Sequence, residues 1–114
     1  MPIVHQLGEL YKHVYQIGKK LSKGDKLGVW SKIEIVCLEC LELSITASLL
    51  PLTSKTEPLR RLGLKIEVMK RLIRLCCEIK IIEDRVYLCL TQPLQEISKM
   101  TAGWYKYANQ KERP

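Results

Sequence analysis

The stretch from Pro58 to Lys80, PLRRLGLKIEVMKRLIRLCCEIK, constrains the fold more than any other part of the chain. At about 100° of turn per residue, Leu62, Ile66, Met69, Leu72, Ile73 and Cys76 fall on one broad face, as a core-facing helix requires. Arg60, Arg71 and Arg74 lie roughly opposite, with Glu67 and Glu78 among them. Leu64, Val68 and Leu75 form a second, narrower apolar strip beside those arginines. The outer face of a helix in an isolated small bundle is normally polar. The strip therefore predicts a partner surface.

Three further helices share this helical period. Ile3, Leu7, Leu10, Tyr11, Val14, Ile17 and Leu21 predict an amphipathic helix over about Ile3–Leu21, with Pro2 suited to its first turn. Gly24 breaks the pattern, and Asp25 is placed to cap the next helix. That helix is predicted over Leu27–Leu49, with Leu27, Trp30, Ile33, Cys37, Cys40, Leu41, Ser44 and Ala47 on its core side. Ile35, Leu38 and Ile45 exceed one core stripe, so this helix too is expected to be covered on more than one side.

Pro51 and the Thr-Ser-Lys-Thr cluster mark a loop, with Thr56 and Pro58 reading as a cap and first-turn proline. A fourth helix is predicted over Asp84–Tyr107, with Val86, Leu90, Leu94, Ile97, Met100 and Trp104 inward and a kink near Cys89 caused by Pro93. Gly103 suggests a close approach of another helix or room for the indole of Trp104. The expected architecture is all-α: an up-down-up-down antiparallel four-helix bundle over residues 1–108, followed by a polar, frayed tail over 109–114.

Composition narrows the function classes. An apolar content of 46% with 27% charged residues fits one globular domain. No apolar run reaches the roughly 18–20 residues of a membrane span. MPIVHQLGEL lacks the basic and apolar regions of a secretory signal, which predicts a cytoplasmic chain. Five cysteines without such a signal argue for reduced thiols. Cys37 and Cys40 form a CxxC inside a helical pattern, with no second pair, so they read as buried hydrophobes and not as metal ligands. GKKLSKGDK lacks the spacing of a phosphate loop, and the absence of any ExxH argues against a carboxylate-bridged metal pair. No nucleophile–base or acid–base constellation appears, so no enzyme, metal or cofactor is expected.

The net charge of +7 is unevenly placed. Residues 1–57 carry 7 Lys against 6 acids, whereas residues 58–114 carry 6 Lys and 6 Arg against 6 acids. Arginine binds phosphate bidentately, so Arg60, Arg61, Lys65, Lys70, Arg71 and Arg74 are the candidate backbone-positioning cations for nucleic acid. Trp104, Tyr105 and Tyr107 beside Lys99 and Lys106 could stack on bases, although packing is the plainer role. The plain alternative for the cations is a solvated basic face, and a rival function is docking to an acidic protein patch.

Several strings, LGVWSKIEIVCLECLELSITAS, LRRLGLKIEVMKRLIRLCCEIKII and ISKMTAGWYKY, resemble the accessory variability determinant (Avd) proteins of diversity-generating retroelements. The resemblance spans about Glu9–Tyr107 and is strongest at Leu64–Glu67, Arg74–Cys76 and Gly103–Lys106, while Gly63 and Pro93 depart from the family pattern. It implies a homopentameric barrel with a basic surface that binds nucleic acid and associates with the element's reverse transcriptase. That complex copies template RNA into mutagenised cDNA. It further implies that Arg60, Arg61, Lys65, Arg71 and Arg74 contact RNA or the polymerase, while the surplus apolar strip of Leu64, Val68 and Leu75 reads as a subunit seam. The four-helix proteins encoded in 23S rRNA intervening sequences share the fold, and imply instead an interaction or scaffold module.

Overall fold

A computed structural model describes residues 2–112. Helix α1 covers Pro2–Lys19 and buries Ile3, Leu7, Leu10, Val14 and Gly18 along one stripe. It stops two residues earlier than its apolar period suggests. The amides of Lys20 and Leu21 donate to Ile17 and Gly18 (3.0 and 3.2 Å), a tightened last turn that releases the chain.

The cap of the next segment is Ser22, not Asp25: the Asp25 amide donates to Ser22 Oγ at 3.3 Å. A short turn over Lys23–Asp25 leads into a wide turn over Lys26–Trp30, where Gly28 sits at φ −88°, ψ −125°, outside the helical region. The regular helix α2 therefore begins later than predicted, at Ser31, and runs to Leu49. This break turns Leu27 outward, where it is 67% exposed instead of in the core.

Trp30 fixes the angle between α1 and α2. It is fully buried, and its Nε1 donates to the Val14 carbonyl at 3.1 Å, which satisfies the one polar group of the ring. Gly18 lies beneath the indole. A Cβ there would stand 2.8 Å from Trp30 Nε1 and 2.9 Å from Glu34 Oε2, so only glycine admits this contact. Farther along α2, Ile33, Cys37, Cys40, Ser44 and Ala47 are buried as expected, joined by Val36 and Leu43.

A loop with a single 3₁₀ turn at Leu52–Ser54 connects α2 to α3, Thr56–Glu78. Thr56 is the first helical residue and not the cap; its Oγ1 is buried without a partner. Lys55 holds this corner instead. Its Nζ donates to the Ala47 carbonyl in the last turn of α2 and lies 5.7 Å from the Trp104 ring centroid. Helix α3 ends two residues before the predicted Lys80. Lys80 takes φ 64°, its amide bonds Cys77 O at 3.1 Å, and the Ile81 amide bonds Cys76 O at 2.8 Å. This pair of bonds is a Schellman motif with lysine where glycine is favoured.

Helix α4 runs over Asp84–Glu112 and continues through Pro93 as one element. It extends past the predicted Tyr107 into the polar tail, where Lys111 Nζ lies 5.6 Å from the Tyr107 ring; Arg113 and Pro114 lie outside the described residues. Leu90, Leu94, Ile97, Thr101 and Ala108 are buried, with Val86, Met100 and Trp104 half-buried beside them. A Cβ at Gly103 would meet nothing within 4 Å, so Gly103 serves no close helix approach within the bundle.

The helices pack in chain order, α1 on α2, α2 on α3 and α3 on α4, and α4 closes back on α1. The result is the predicted up-down-up-down four-helix bundle, 52 × 20 × 19 Å. At roughly 1.5–3 kcal/mol for each fully buried aliphatic side chain, the continuous stripe of Leu, Ile and Val from all four helices holds it together. Among the described residues, no helix is long and apolar enough to cross a membrane.

Candidate functional site

The outward surface of α3 holds the site. With Leu59, Leu62, Ile66, Met69, Ile73 and Cys76 buried, the helical repeat turns Arg60, Leu64, Arg71 and Leu75 directly away from the core. Arg60, Arg61, Arg71 and Arg74 are all exposed. From Arg60 to Arg74 they cover about 21 Å of helix axis.

The six predicted cations are not one patch. Lys65 turns toward α2, where its Nζ lies 3.1 Å from Glu39 Oε1. Lys70 turns to the opposite side, 3.0 Å from Glu67 Oε2, beside Tyr87 and Thr91 of α4. Both lysine side chains are about one-third exposed, at 34% and 33%. Arg60 and Arg71 thus crown an exposed ridge whose flanks carry Arg61 beside Lys65, toward α2, and Arg74 on the side of Lys70, toward α4.

Arg60 is held in a fork by Glu57, with Nη2–Oε1 2.7 Å and Nε–Oε2 3.1 Å. The hydrogen bonds from Arg60 lower the Glu57 carboxyl below its usual range and raise the guanidinium in return. Arg74 lies 3.8 Å from Glu78. Among the described residues, Arg61 and Arg71 have no carboxylate partner. Exposed pairs of this type contribute little to stability, so an anionic ligand can displace them. The Glu57–Arg60 pair is legible in the sequence as an i,i+3 spacing; the Lys65–Glu39 pair, 26 residues apart, is not.

Leu64, Val68 and Leu75 stand between the arginines, exposed at 56%, 45% and 42%. Gly63 opens a shallow groove of about 340 Å³ between α3 and α4, lined also by Leu59, Leu64, Ala102 and Tyr105. The α4 aromatics are dispersed: Trp104 packs under Lys55 and Tyr107 under Lys111, leaving no continuous stacking platform beside the arginines.

The thiols have structural surroundings. Burial pushes Cys37 up to about 12. Burial first, and then the neighbouring Cys37, pushes Cys40 to about 12, and burial raises Cys76 to about 11. These thiols stay neutral and pack as small hydrophobes. Cys77 Sγ donates to Asp84 Oδ1 at 3.2 Å, and that hydrogen bond raises its pKa. Among the described residues, no three His, Cys, Asp or Glu side chains converge as a metal site would require. No protein-family model matches the chain, and no curated protein matches it.

Proposed function

We propose that this chain is a non-catalytic, self-assembling accessory protein that binds nucleic acid and works beside a reverse transcriptase, as its resemblance to the Avd proteins implies. The observation that supports this reading is the exposed arginine set of α3: among the described residues Arg61 and Arg71 have no carboxylate partner, and Arg60 and Arg74 have exchangeable ones. Its mechanism is phosphate neutralisation with release of condensed counterions, which positions a backbone without reading bases. Leu64, Val68 and Leu75 supply a subunit seam, and assembly repeats the ridge so that weak contacts sum. A homopentamer is the assembly the resemblance implies.

Titration of a labelled single-stranded RNA against salt tests the binding half of this reading. Arg71 lies in the same row as Leu64, Val68 and Leu75, within the seam, so three phosphate contacts per subunit, from Arg60, Arg61 and Arg74, give a log–log slope near −2. Replacing Arg60, Arg61 and Arg74 with Ala should flatten the slope; unchanged binding after that replacement rules the ridge out. The exposed leucines among the arginines favour one rival, a scaffold that docks an acidic protein patch, as an intervening-sequence relative would. That rival predicts capture of an acidic partner and RNA binding no steeper with salt than for any basic protein.

A further inference from the structure

A second exposed strip lies on α2, and its pattern mirrors that of α3. Leu38, Glu42, Ile45 and Leu49 are all exposed and recur at steps of four, three and four residues. Leu64, Val68, Arg71 and Leu75 recur on α3 at the same steps. Each strip is apolar except for one charge, an acid on α2 and a base on α3. Among the described residues neither Glu42 nor Arg71 has an ion-pair partner. They cannot pair within one chain. Glu39 stands opposite Lys65, which leaves Glu42 and Arg71 about 13 Å apart along the axis.

We propose that the α2 strip of one copy docks antiparallel on the α3 strip of the next, bringing Leu38 to Leu75, Glu42 to Arg71, Ile45 to Val68 and Leu49 to Leu64. The steps read the same in both directions, so spacing alone admits either orientation. Charge decides. In the parallel arrangement Glu42 meets Val68 and Arg71 meets Ile45, and both charges are covered unpaired, which desolvation strongly disfavours. Pairing α2 with α2, or α3 with α3, sets each charge against an aliphatic residue or its own like. Only the antiparallel α2–α3 register matches every position. The same register accounts for the exposed apolar side chains Leu38, Ile45 and Leu49 of α2, which a solvated outer helix face does not need. Because the two strips differ, the contact is head-to-tail and generates a ring or a filament of staggered copies, not a two-fold dimer.

This inference rests on the self-assembly part of the proposed function and adds the face that meets the α3 seam. Native mass by light scattering on the full chain tests it, with circular dichroism confirming helical content, for wild type, Glu42→Arg, Arg71→Glu and the double reversal. The wild type is expected well above the 13.2 kDa monomer. Each single reversal should weaken assembly at least tenfold, and the double reversal should restore it. Glu42→Arg adds positive charge, so its loss of assembly cannot come from a lost phosphate contact. A monomeric wild type overturns self-assembly and this pairing together. An assembled wild type that tolerates both single reversals, or is not restored by the double, overturns the pairing alone.

Discussion

Helix α1 buries Ile3, Leu7, Leu10 and Val14 at the same three- and four-residue steps with which α3 buries Leu59, Leu62, Ile66, Met69 and Ile73. Their outer faces diverge. That of α1 carries His5, Glu9, Lys12 and Lys19, with Tyr15 its one large exposed hydrophobic among the described residues, whereas α3 interleaves four arginines with Leu64, Val68 and Leu75. An inner stripe is what any bundle helix needs, so the inner faces report folding and the outer faces report what the bundle does. On this comparison, the outer face of α3, unlike that of α1, carries more apolar surface than the bundle itself uses.

Truncating the inner faces should be equally damaging on both helices. Leu7→Ala and Ile66→Ala should each cost about 2–5 kcal/mol in denaturant unfolding, because both residues are fully buried. A cost below about 1 kcal/mol at either would mean that helix packs less tightly than described. Lys80→Gly, just beyond α3, should stabilise the fold by roughly 1 kcal/mol by removing a left-handed lysine from the helix stop; a destabilised variant would refute the Schellman geometry.

Smaller effects separate the outer faces. Serine at Leu64, Val68 and Leu75 should leave the stability of the isolated subunit within about 0.5 kcal/mol per site while lowering the native mass. Serine at His5, Lys12 and Lys19 should change neither. If the α1 variant disassembles and the α3 variant does not, the comparison is reversed. The smallest effect is electrostatic. Because Arg60 holds the Glu57 carboxyl below its usual range, their pairing favours the folded state at neutral pH. That contribution should fade as pH falls through the lowered pKa. Wild type and Glu57→Gln should therefore converge in Tm on acidification, and a gap that widens instead would have the wrong sign.

The bundle was legible in the sequence because apolar period and burial are nearly the same quantity in a long amphipathic helix. Leu62, Ile66, Met69 and Ile73 were placed by spacing alone. The errors gathered where a local choice competes with the period. Leu27 was assigned inward because its spacing from Trp30 is helical, but the wide turn at Gly28 rotates it out. Ser22 displaced Asp25 as the cap, and Lys55 took the corner expected of Thr56, since caps depend on backbone angles that a side-chain pattern does not encode. Of the site, the arginine ridge and its apolar strip could be read from helical position. The separation of Lys65 and Lys70 was open to the same reading, since five residues set them about 140° apart on a helix; the tether of Lys65 was not, because Glu39 stands on another helix.

The salt dependence of RNA binding tests most directly whether the outer face of α3 is a phosphate-binding surface. The assay compares wild type with two charge-matched variants, one with Arg60, Arg61 and Arg74 replaced by Ala and one with Lys12, Lys19 and Lys20 replaced by Ala. The ridge variant should lose about two from the log–log slope, and the lysine variant, which removes the same net charge, should keep most of it. Equal losses in the two variants would mean that total charge binds RNA and that the arginine ridge has no special part in it.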